Sequence, residues 1–318
     1  MPARKLPLVS INVVTYNQAG FLPETLDSIL AQDYQNLEIV IADDASRDAT
    51  PEIARTYAKR DKRIKLVLSK KNGGVVVNCN RGLAACTGHY IIPFSGDDVM
   101  LPDKIRAQVE QLEANPKAAF SFHDMEWFES ATGQSTRLHH TQQNPPARTL
   151  PDLLKHNSIG GPAVMVRASL LPKGGYNPTF PHAGDWLLWI EMALQHPFVY
   201  LDKPLVRYRR HTQNQTRINP HIGAEQLKLL AYLKTILPAA LHPHLKTAYA
   251  LSYQASAIGY FSQGEAFKAL KALLKSLKFG NCSFKVGVGI AIGLVMLILP
   301  RSLSRLLWGA LMNQRFHS

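Results

Sequence analysis

The sequence has little of what marks a secreted or disulfide-stabilised protein. It contains three cysteines, Cys79, Cys86 and Cys282, which form neither a disulfide framework nor a cluster of metal ligands. This scarcity predicts a reducing compartment rather than an oxidising one. Met1–Lys5 lead directly into a strand-like run and lack the apolar core of a signal peptide, so we expect a protein that is not secreted.

Long apolar runs are also missing. A membrane-spanning helix requires roughly 20 apolar residues, whereas the run at 286–299 has fourteen and lies between Lys285 and Pro300. This run is too short to cross a bilayer comfortably. It predicts an interfacial or re-entrant segment, with a buried helix of a small domain as the alternative.

Acidic residues are nearly absent from the last third of the chain. Residues 225–318 hold eleven Lys or Arg against Glu225 and Glu265, which is about +9 of the total formal charge of +13. Within 265–278, four lysines alternate with an apolar stripe formed by Phe267, Leu270, Leu274 and Leu277. Such a basic amphipathic helix either lies on an anionic membrane surface or packs on its neighbours with its lysines in water.

Two pairs of adjacent aspartates each follow a short apolar run. Asp43–Asp44 follow 37–42, and Asp97–Asp98 follow 90–96. Runs of this kind are typical of strands in a covered sheet, and open α/β sheets bind ligands beyond the carboxyl ends of their strands. Adjacent carboxylates require an opposing charge, and oxygen ligands shared with phosphates suit Mg²⁺ or Mn²⁺. The pattern therefore favours a metal and nucleotide site over ordinary turn chemistry, which also places Asp at strand ends.

Strand-like and helix-like segments alternate through the first half. A helix is predicted to begin at Thr50–Pro51, a strand to cover Ile64–Leu68, a helix Val75–Ala85 and a strand Tyr90–Phe94. Alternation of this kind predicts an α/β fold with a mainly parallel sheet, followed by a small α-helical C-terminal region. Residues 129–151, rich in Thr, Gln, Asn and Pro, predict a loop.

Five short segments, in order, resemble the family 2 glycosyltransferases. They are Leu8–Asn17, Ser28–Gln32, Asp43–Thr50, Asn72–Gly74 and the segment from Gly88 to Asp98. The resemblance covers roughly residues 7–215. It implies a single nucleotide-sugar transferase domain of the GT-A type and inverting transfer of a sugar from a nucleotide diphosphate donor to an acceptor hydroxyl.

The resemblance also implies roles for individual residues. The nucleotide-binding residues are expected to be Thr15, Tyr16, Asn17, Asp44, Arg81 and Asp97. Tyr16 is expected to stack on the base, with a core-edge aromatic as the alternative. Asp44 is expected to accept the ring N–H of the base, and this favours a UDP- or dTDP-sugar. Many relatives carry an Arg near the position of Cys79, so it stays open whether Arg81 replaces that contact.

The remaining roles concern the metal, the diphosphate and the acceptor. Asp98 is expected to ligate Mn²⁺ or Mg²⁺ directly, with His211 at the metal and Arg210 at the diphosphate. A solvated basic strand end is the alternative for the last two. Asp185 resembles the general base, which takes the proton of the acceptor hydroxyl, and a helix N-cap is a second, compatible role. The pair His139–His140 lacks the spacing of a zinc site and is expected at the surface.

These observations predict a catalytic domain over 1–222, a helical region over 223–280 and an apolar, basic, membrane-associating tail over 281–318. We expect a peripheral enzyme at the cytoplasmic face of the cell membrane, with a lipid-linked or polysaccharide acceptor of the cell envelope and no nucleic-acid partner. One alternative is a sugar nucleotidyltransferase, but its Gly-rich, Arg-containing loop is missing from Thr15–Gly20. The other is a non-enzymatic membrane adaptor, which leaves the acidic pairs without a role.

Overall fold

The structure is a computed structural model that describes residues 6–142, 144–212, 214 and 220–315. The contacts divide the chain into two compact units. Unit 1 runs to Leu153 and continues over Asn157–His211, and unit 2 contains Leu154–His156 and the chain from Thr212. The predicted functional boundaries at residues 222 and 280 stay predictions.

Nine strands in the described part of unit 1 form one sheet. They are β1 (Val9–Thr15), β2 (Leu37–Asp43), β3 (Ile64–Leu68), β4 (Tyr90–Ser95), β5 (Val99–Met100), β6 (Phe120–Glu129), β7 (Ser135–Leu138), β8 (Val164–Arg167) and β9 (Phe198–Arg210). The strand order is β3-β2-β1-β4-β8-β6-β9-β5, and β7 pairs with β6.

The first four strands in this order are parallel, as the strand and helix alternation predicts. Beyond β4 the sheet is mixed: β8 pairs antiparallel with β4 and β6, whereas β6 and β9 are parallel. The α/β fold class is confirmed. All residues of β2 and nearly all of β1 are buried, because helices cover the sheet and leave little of these strands to water.

Helices of unit 1 follow most of the parallel strands. They are α1 (Leu22–Leu30), α2 (Thr50–Arg60), α3 (Val75–Ala85), α4 (Lys104–Ala114), α5 (Leu150–Lys155, whose last two residues are assigned to unit 2) and α6 (Gly184–Gln195). Pro23 and Pro51 lie in the first turns of α1 and α2, where a missing N–H costs no helical hydrogen bond. Ile11, Ile39 and Ile92 from neighbouring strands are fully buried in the core.

The predicted loop at 129–151 contains a strand that the sequence did not indicate. β7 pairs antiparallel with β6, and all four of its residues are exposed. An exposed strand lacks the apolar alternation from which strands are predicted, so the pattern missed it. The prediction for His140 was also wrong. This residue is 7% exposed, and its ring contacts the Asp124 carboxylate at 3.1 Å and the Ser158 carbonyl at 2.9 Å.

Unit 2 is helical throughout its described elements. They are α7 (Ile222–Ile236), a short 3₁₀ segment (Ala239–His244), α8 (Leu245–Ser262), α9 (Ala266–Lys278), α10 (Phe284–Leu297) and α11 (Arg301–Arg315). Within the described residues, no helix combines the length and the apolar character needed to span a membrane.

The predicted apolar stripe of α9 is split between the core of unit 2 and solvent. Leu270 is buried, whereas Phe267 and Leu274 are 70% and 60% exposed. The buried side of α9 combines Leu270 and Leu273 with small residues, and the Ser276 hydroxyl donates to the Ala250 carbonyl of α8 at 2.7 Å. Small side chains allow close helix packing, and a search for large apolar residues does not find them.

The apolar run at 286–299 forms α10 and also divides. Val286 and Met296 are buried in the core of unit 2. A Cβ at Gly293 would lie 2.6 Å from Leu270, so α10 approaches α9 closely at this glycine. Leu294 is 57% exposed. One side of this segment is therefore packed within unit 2, and the other is not.

Candidate donor and metal site

The acidic pair after β4 is held in a buried turn. The Asp98 Oδ1 accepts the backbone N–H of Arg209 at 2.9 Å. Its Oδ2 is buried and accepts no hydrogen bond from the described residues. Burial, and next the charge of Asp97, raise the pKa of Asp98 well above its ordinary value. One carboxylate oxygen of the pair is thus both desolvated and unbonded.

Asp97 has a different environment. The Ser95 hydroxyl donates to its Oδ1, and the His211 Nε2 lies 2.9 Å from its Oδ2. The Phe21 ring lies 4.6 Å from the His211 ring, measured between centroids. The structure therefore brings Asp97, Asp98 and His211 together, as the sequence predicts.

Arg209 is a residue of this site that the sequence analysis missed. Its Nε donates to the Asp97 carbonyl at 2.7 Å, and its guanidinium forms an ion pair with Glu24. The side chain is only 6% exposed. Its signal in the sequence was its place beside Arg210 and His211, in the segment that the resemblance assigns to the end of the domain.

Arg210 points to the other face of the same strand. Its Nε lies 3.5 Å from the Glu129 Oε1, and its guanidinium lies 5.4 Å from the centre of the Trp127 ring. The predicted contact between Arg210 and the diphosphate stays a prediction.

The end of β1 is fastened to the first acidic pair. Thr15 is 3% exposed, and its hydroxyl donates to the Asp43 Oδ1 at 3.0 Å. The other Asp43 oxygen accepts the Ser46 N–H at 2.9 Å. Asp43 therefore closes the turn after β2, and the Thr15 side chain belongs to that support.

The residues after Thr15 form an open loop. Tyr16 is 45% exposed, which does not fit the alternative of a core-edge aromatic. Asn17 has a left-handed backbone with φ of 53°. Its N–H donates to the Ser46 hydroxyl and its Oδ1 accepts the Arg47 N–H, both at 2.8 Å. The Tyr16 ring thus projects from a loop that is fixed on one side by backbone contacts.

Asp44 binds the loop that precedes α3. Its Oδ1 accepts the Gly73 N–H at 2.9 Å and a guanidinium N–H of Arg81 at 3.0 Å, and its Oδ2 accepts the Gly74 N–H at 2.8 Å. Gly74 has φ of 85°, a conformation that favours glycine. Arg81 is therefore an ion-pair partner of Asp44.

Asp185 lies in the first turn of α6. The N-cap residue is Ala183, so Asp185 is not the cap that the sequence left open. Its Oδ1 accepts the Trp186 N–H at 2.7 Å and the amide N–H of Asn157 at 3.2 Å. Asn157 is a second contact that sequence reasoning missed, and its loop carries no pattern that predicts it.

Cys79 lies near two carboxylates of the site, those of Asp185 and Asp44. Burial raises the pKa of its thiol to about 12, and the carboxylates of Asp185 and Asp44 add to this increase. Cys79 therefore lies within electrostatic range of both Asp185 and Asp44.

The Asp98 turn fits a divalent cation. A buried carboxylate oxygen without a partner costs free energy that a cation would offset. Among the described residues, no three His, Cys, Asp or Glu side chains form a complete metal-ligand set. Mg²⁺ or Mn²⁺ held here would need ligands from substrate phosphates in addition to these carboxylates.

Comparison with known proteins gives consistent matches. Residues 10–170 match the family described as Glycosyl transferase family 2. An uncharacterized glycosyltransferase of Haemophilus influenzae is 28% identical over 230 residues, which is 70% of this chain and 71% of that protein. The putative teichuronic acid biosynthesis glycosyltransferase TuaG of Bacillus subtilis is 32% identical over 160 residues, which is 50% of this chain and 62% of TuaG.

Solved structures with the same fold cover most of the chain. TarS of S. aureus in complex with UDP-GlcNAc has a TM-score of 0.57 at 18% identity, over 86% of this chain and 89% of that chain. The mannosyltransferase PcManGT of Pyrobaculum calidifontis in complex with GDP-Man and Mn²⁺ has a TM-score of 0.60 at 20% identity, over 96% and 85%. The fold is that of the GT-A glycosyltransferases. Because the family match spans half of the sequence, the chain belongs to glycosyl transferase family 2 and is a glycosyltransferase.

Proposed function

We propose that this protein transfers a sugar, with inversion, from a nucleotide diphosphate donor, most readily a UDP-sugar, to an acceptor hydroxyl. The observation that carries the proposal is the Asp97–Asp98 turn, where the buried Asp98 Oδ2 lies unbonded after a strand of the parallel half of the sheet. Family membership leaves the nucleotidyltransferase and adaptor alternatives without support.

The donor base would lie between Tyr16 and Asp44. The Tyr16 ring is exposed and available for stacking. The Asp44 carboxylate accepts three hydrogen bonds, from Gly73, Gly74 and Arg81. Since a carboxylate offers about four acceptor positions, one position remains for the ring N–H of uracil or thymine.

Departure of the nucleotide diphosphate requires positive charge. A bound divalent ion would supply it by neutralising negative charge on the leaving group. Asp98 would hold this ion, with His211 at its side. Arg209 keeps the turn in place through the Asp97 carbonyl and the Asp98 carboxylate. Both Mn²⁺ and Mg²⁺ suit these oxygen ligands.

Asp185 would act as the general base that takes the proton of the acceptor hydroxyl. Its hydrogen bond from Asn157 fixes one carboxylate oxygen and keeps the side chain in a defined rotamer. We propose a lipid-linked or polysaccharide acceptor of the cell envelope, reached by a peripheral enzyme at the cytoplasmic face of the membrane. The similarity to TuaG, a putative teichuronic acid biosynthesis glycosyltransferase, supports a cell-envelope acceptor.

Thermal unfolding with a panel of nucleotides tests the donor proposal. UDP, dTDP, GDP and ADP are each added with Mn²⁺ and then again with excess EDTA. A ligand at 100 times its dissociation constant adds about 2.7 kcal/mol to the free energy of unfolding. We expect UDP to stabilise the protein most, and only with the metal. A larger effect of GDP or ADP would contradict the uracil assignment, and a full effect in EDTA would contradict the metal.

A further inference from the structure

Unit 2 exposes large apolar side chains that its own core does not use. Phe267 and Leu274 on α9 are 70% and 60% exposed, Ile298 after α10 is 83% exposed, and Leu306 on α11 is 69% exposed. Single exposed apolar residues are ordinary, whereas apolar residues grouped on one face mark an interaction site.

The exposed residues of α9 have a definite arrangement. Phe267 and Leu274 are seven residues apart, so they lie on one side of the helix about two turns from each other. Lys271 and Lys278 follow them by four residues each and therefore occupy the adjacent turns of the same side. The opposite side is buried. We call the side formed by Phe267, Lys271, Leu274 and Lys278 the α9 face.

The charge around this face has one sign. From residue 266 to Ser318 the sequence has eight Lys or Arg and neither Asp nor Glu. The preceding acid, Glu265, already forms an ion pair with Lys268 at 2.8 Å. Only an anionic partner is complementary to such a surface.

We propose that the α9 face binds an anionic bilayer, with Phe267 and Leu274 inserted among the acyl chains and Lys271 and Lys278 at the lipid phosphates. Basic amphipathic helices bind in this way in the plane of the membrane interface. A nucleic acid would satisfy the lysines but would offer the exposed Phe267 and Leu274 no apolar environment. The inference rests on the proposed function, because it names the surface that brings the enzyme to a lipid-linked acceptor.

Cosedimentation of the full chain with vesicles tests the inference. Vesicles of phosphatidylglycerol with phosphatidylcholine are compared with vesicles of phosphatidylcholine alone, at low and high salt. We expect binding to the anionic vesicles only, weakened by salt because the Debye length shortens. The double variant Phe267→Gln/Leu274→Gln should bind at least about tenfold more weakly. Lys271→Gln should lose about fivefold, which corresponds to about 1 kcal/mol.

Matched controls separate this face from general charge and hydrophobicity. Lys59→Gln/Lys62→Gln removes two exposed charges of unit 1, one in the last turn of α2 and one just after it, and Leu6→Gln removes an exposed apolar residue of unit 1. Both should bind vesicles like the parent protein. Equal vesicle binding by the Phe267→Gln/Leu274→Gln variant and the parent would overturn the proposal, as would a parent protein that ignores anionic vesicles at low salt.

The alternative partner for the α9 face is a second copy of the chain. Sedimentation velocity of the parent and the double variant distinguishes it: a parent dimer that the variant converts to monomer would overturn the membrane assignment. UDP binding is measured on the same preparations. Loss of UDP binding therefore counts against the proposed function, whereas loss of vesicle binding alone counts against the α9 face.

Discussion

Replacing Asp98 by Asn should make the metal-free protein more stable while removing its response to UDP. The two effects have opposite signs because Asp98 is buried with one carboxylate oxygen unbonded. The Asn side chain keeps an oxygen for the Arg209 N–H and removes the desolvated charge. A residue with a purely structural role would instead lose stability on replacement, so the signs distinguish the two roles.

The magnitudes follow from burial and from ligand linkage. An unpaired buried polar group costs about 1–3 kcal/mol, and more when it is charged. Asp98→Asn should therefore raise the metal-free free energy of unfolding by about 1 kcal/mol or more. In the parent protein, UDP with Mn²⁺ at 100 times its dissociation constant adds about 2.7 kcal/mol. For a unit of this size that corresponds to an increase in Tm of about 5–10 °C, and we expect the variant to lose it.

Differential scanning calorimetry measures both effects on one preparation. The scans are run without ligand, with UDP and Mn²⁺, and with UDP and EDTA. Asp33→Asn is the matched control, because Asp33 is exposed and its carboxylate forms a surface ion pair with Arg106. It should keep the full UDP response. An Asp98→Asn protein that retains an EDTA-sensitive UDP response would show that Asp98 is not a metal ligand and would refute this reasoning.

Two further predictions concern the base and a structural carboxylate. Asp185→Asn should retain UDP binding while sugar transfer falls by about 10²- to 10⁴-fold, and transfer within about threefold of the parent would return Asp185 to a structural role. Burial alone would raise the pKa of Glu38, but hydrogen bonds from Lys65, Ser10 and Thr87 outweigh it and lower the pKa to about 2. Because this pKa is lowered on folding, the stabilisation of about 3 kcal/mol is present above pH 4.5 and is lost as the pH falls toward 2. Urea unfolding of Glu38→Gln should therefore show a deficit at neutral pH that vanishes near pH 2, and a deficit unchanged with pH would contradict the charge assignment.

The first half of the fold could be predicted because its pattern is local. The strand at Ile64–Leu68 and the helix at Val75–Ala85 have the predicted bounds. Both belong to the strand and helix alternation of the first half, although this helix buries Val76, Asn78 and Gly82 and exposes Val75. The second half is mixed, and β7 is exposed along its whole length, so periodicity contained no information about it.

The site also has a part that could be predicted from the sequence and a part that could not. Asp97 and Asp98 could be identified because two acids after an apolar run are visible in the sequence. The Arg209 contact joins residues 111 positions apart in the sequence, and the Asn157 contact with Asp185 joins residues 28 apart. Contacts of this kind depend on strand order and loop path, which one sequence does not determine.

The carboxylates of Asp97 and Asp98 differ in their hydrogen bonds, and this difference reduces the repulsion between them. Asp97 is bonded at both oxygens, by Ser95 and His211, so its charge is locally compensated. Asp98 is bonded at Oδ1 by a backbone N–H, and its Oδ2 is left buried without a hydrogen bond among the described residues. The pair therefore presents one uncompensated oxygen. A single divalent ion shared with substrate phosphates requires little more than this from the protein. Arg209 forms a hydrogen bond with each residue, from its backbone N–H to the Asp98 carboxylate and from its Nε to the Asp97 carbonyl. It therefore links the position of Asp98 to that of Asp97.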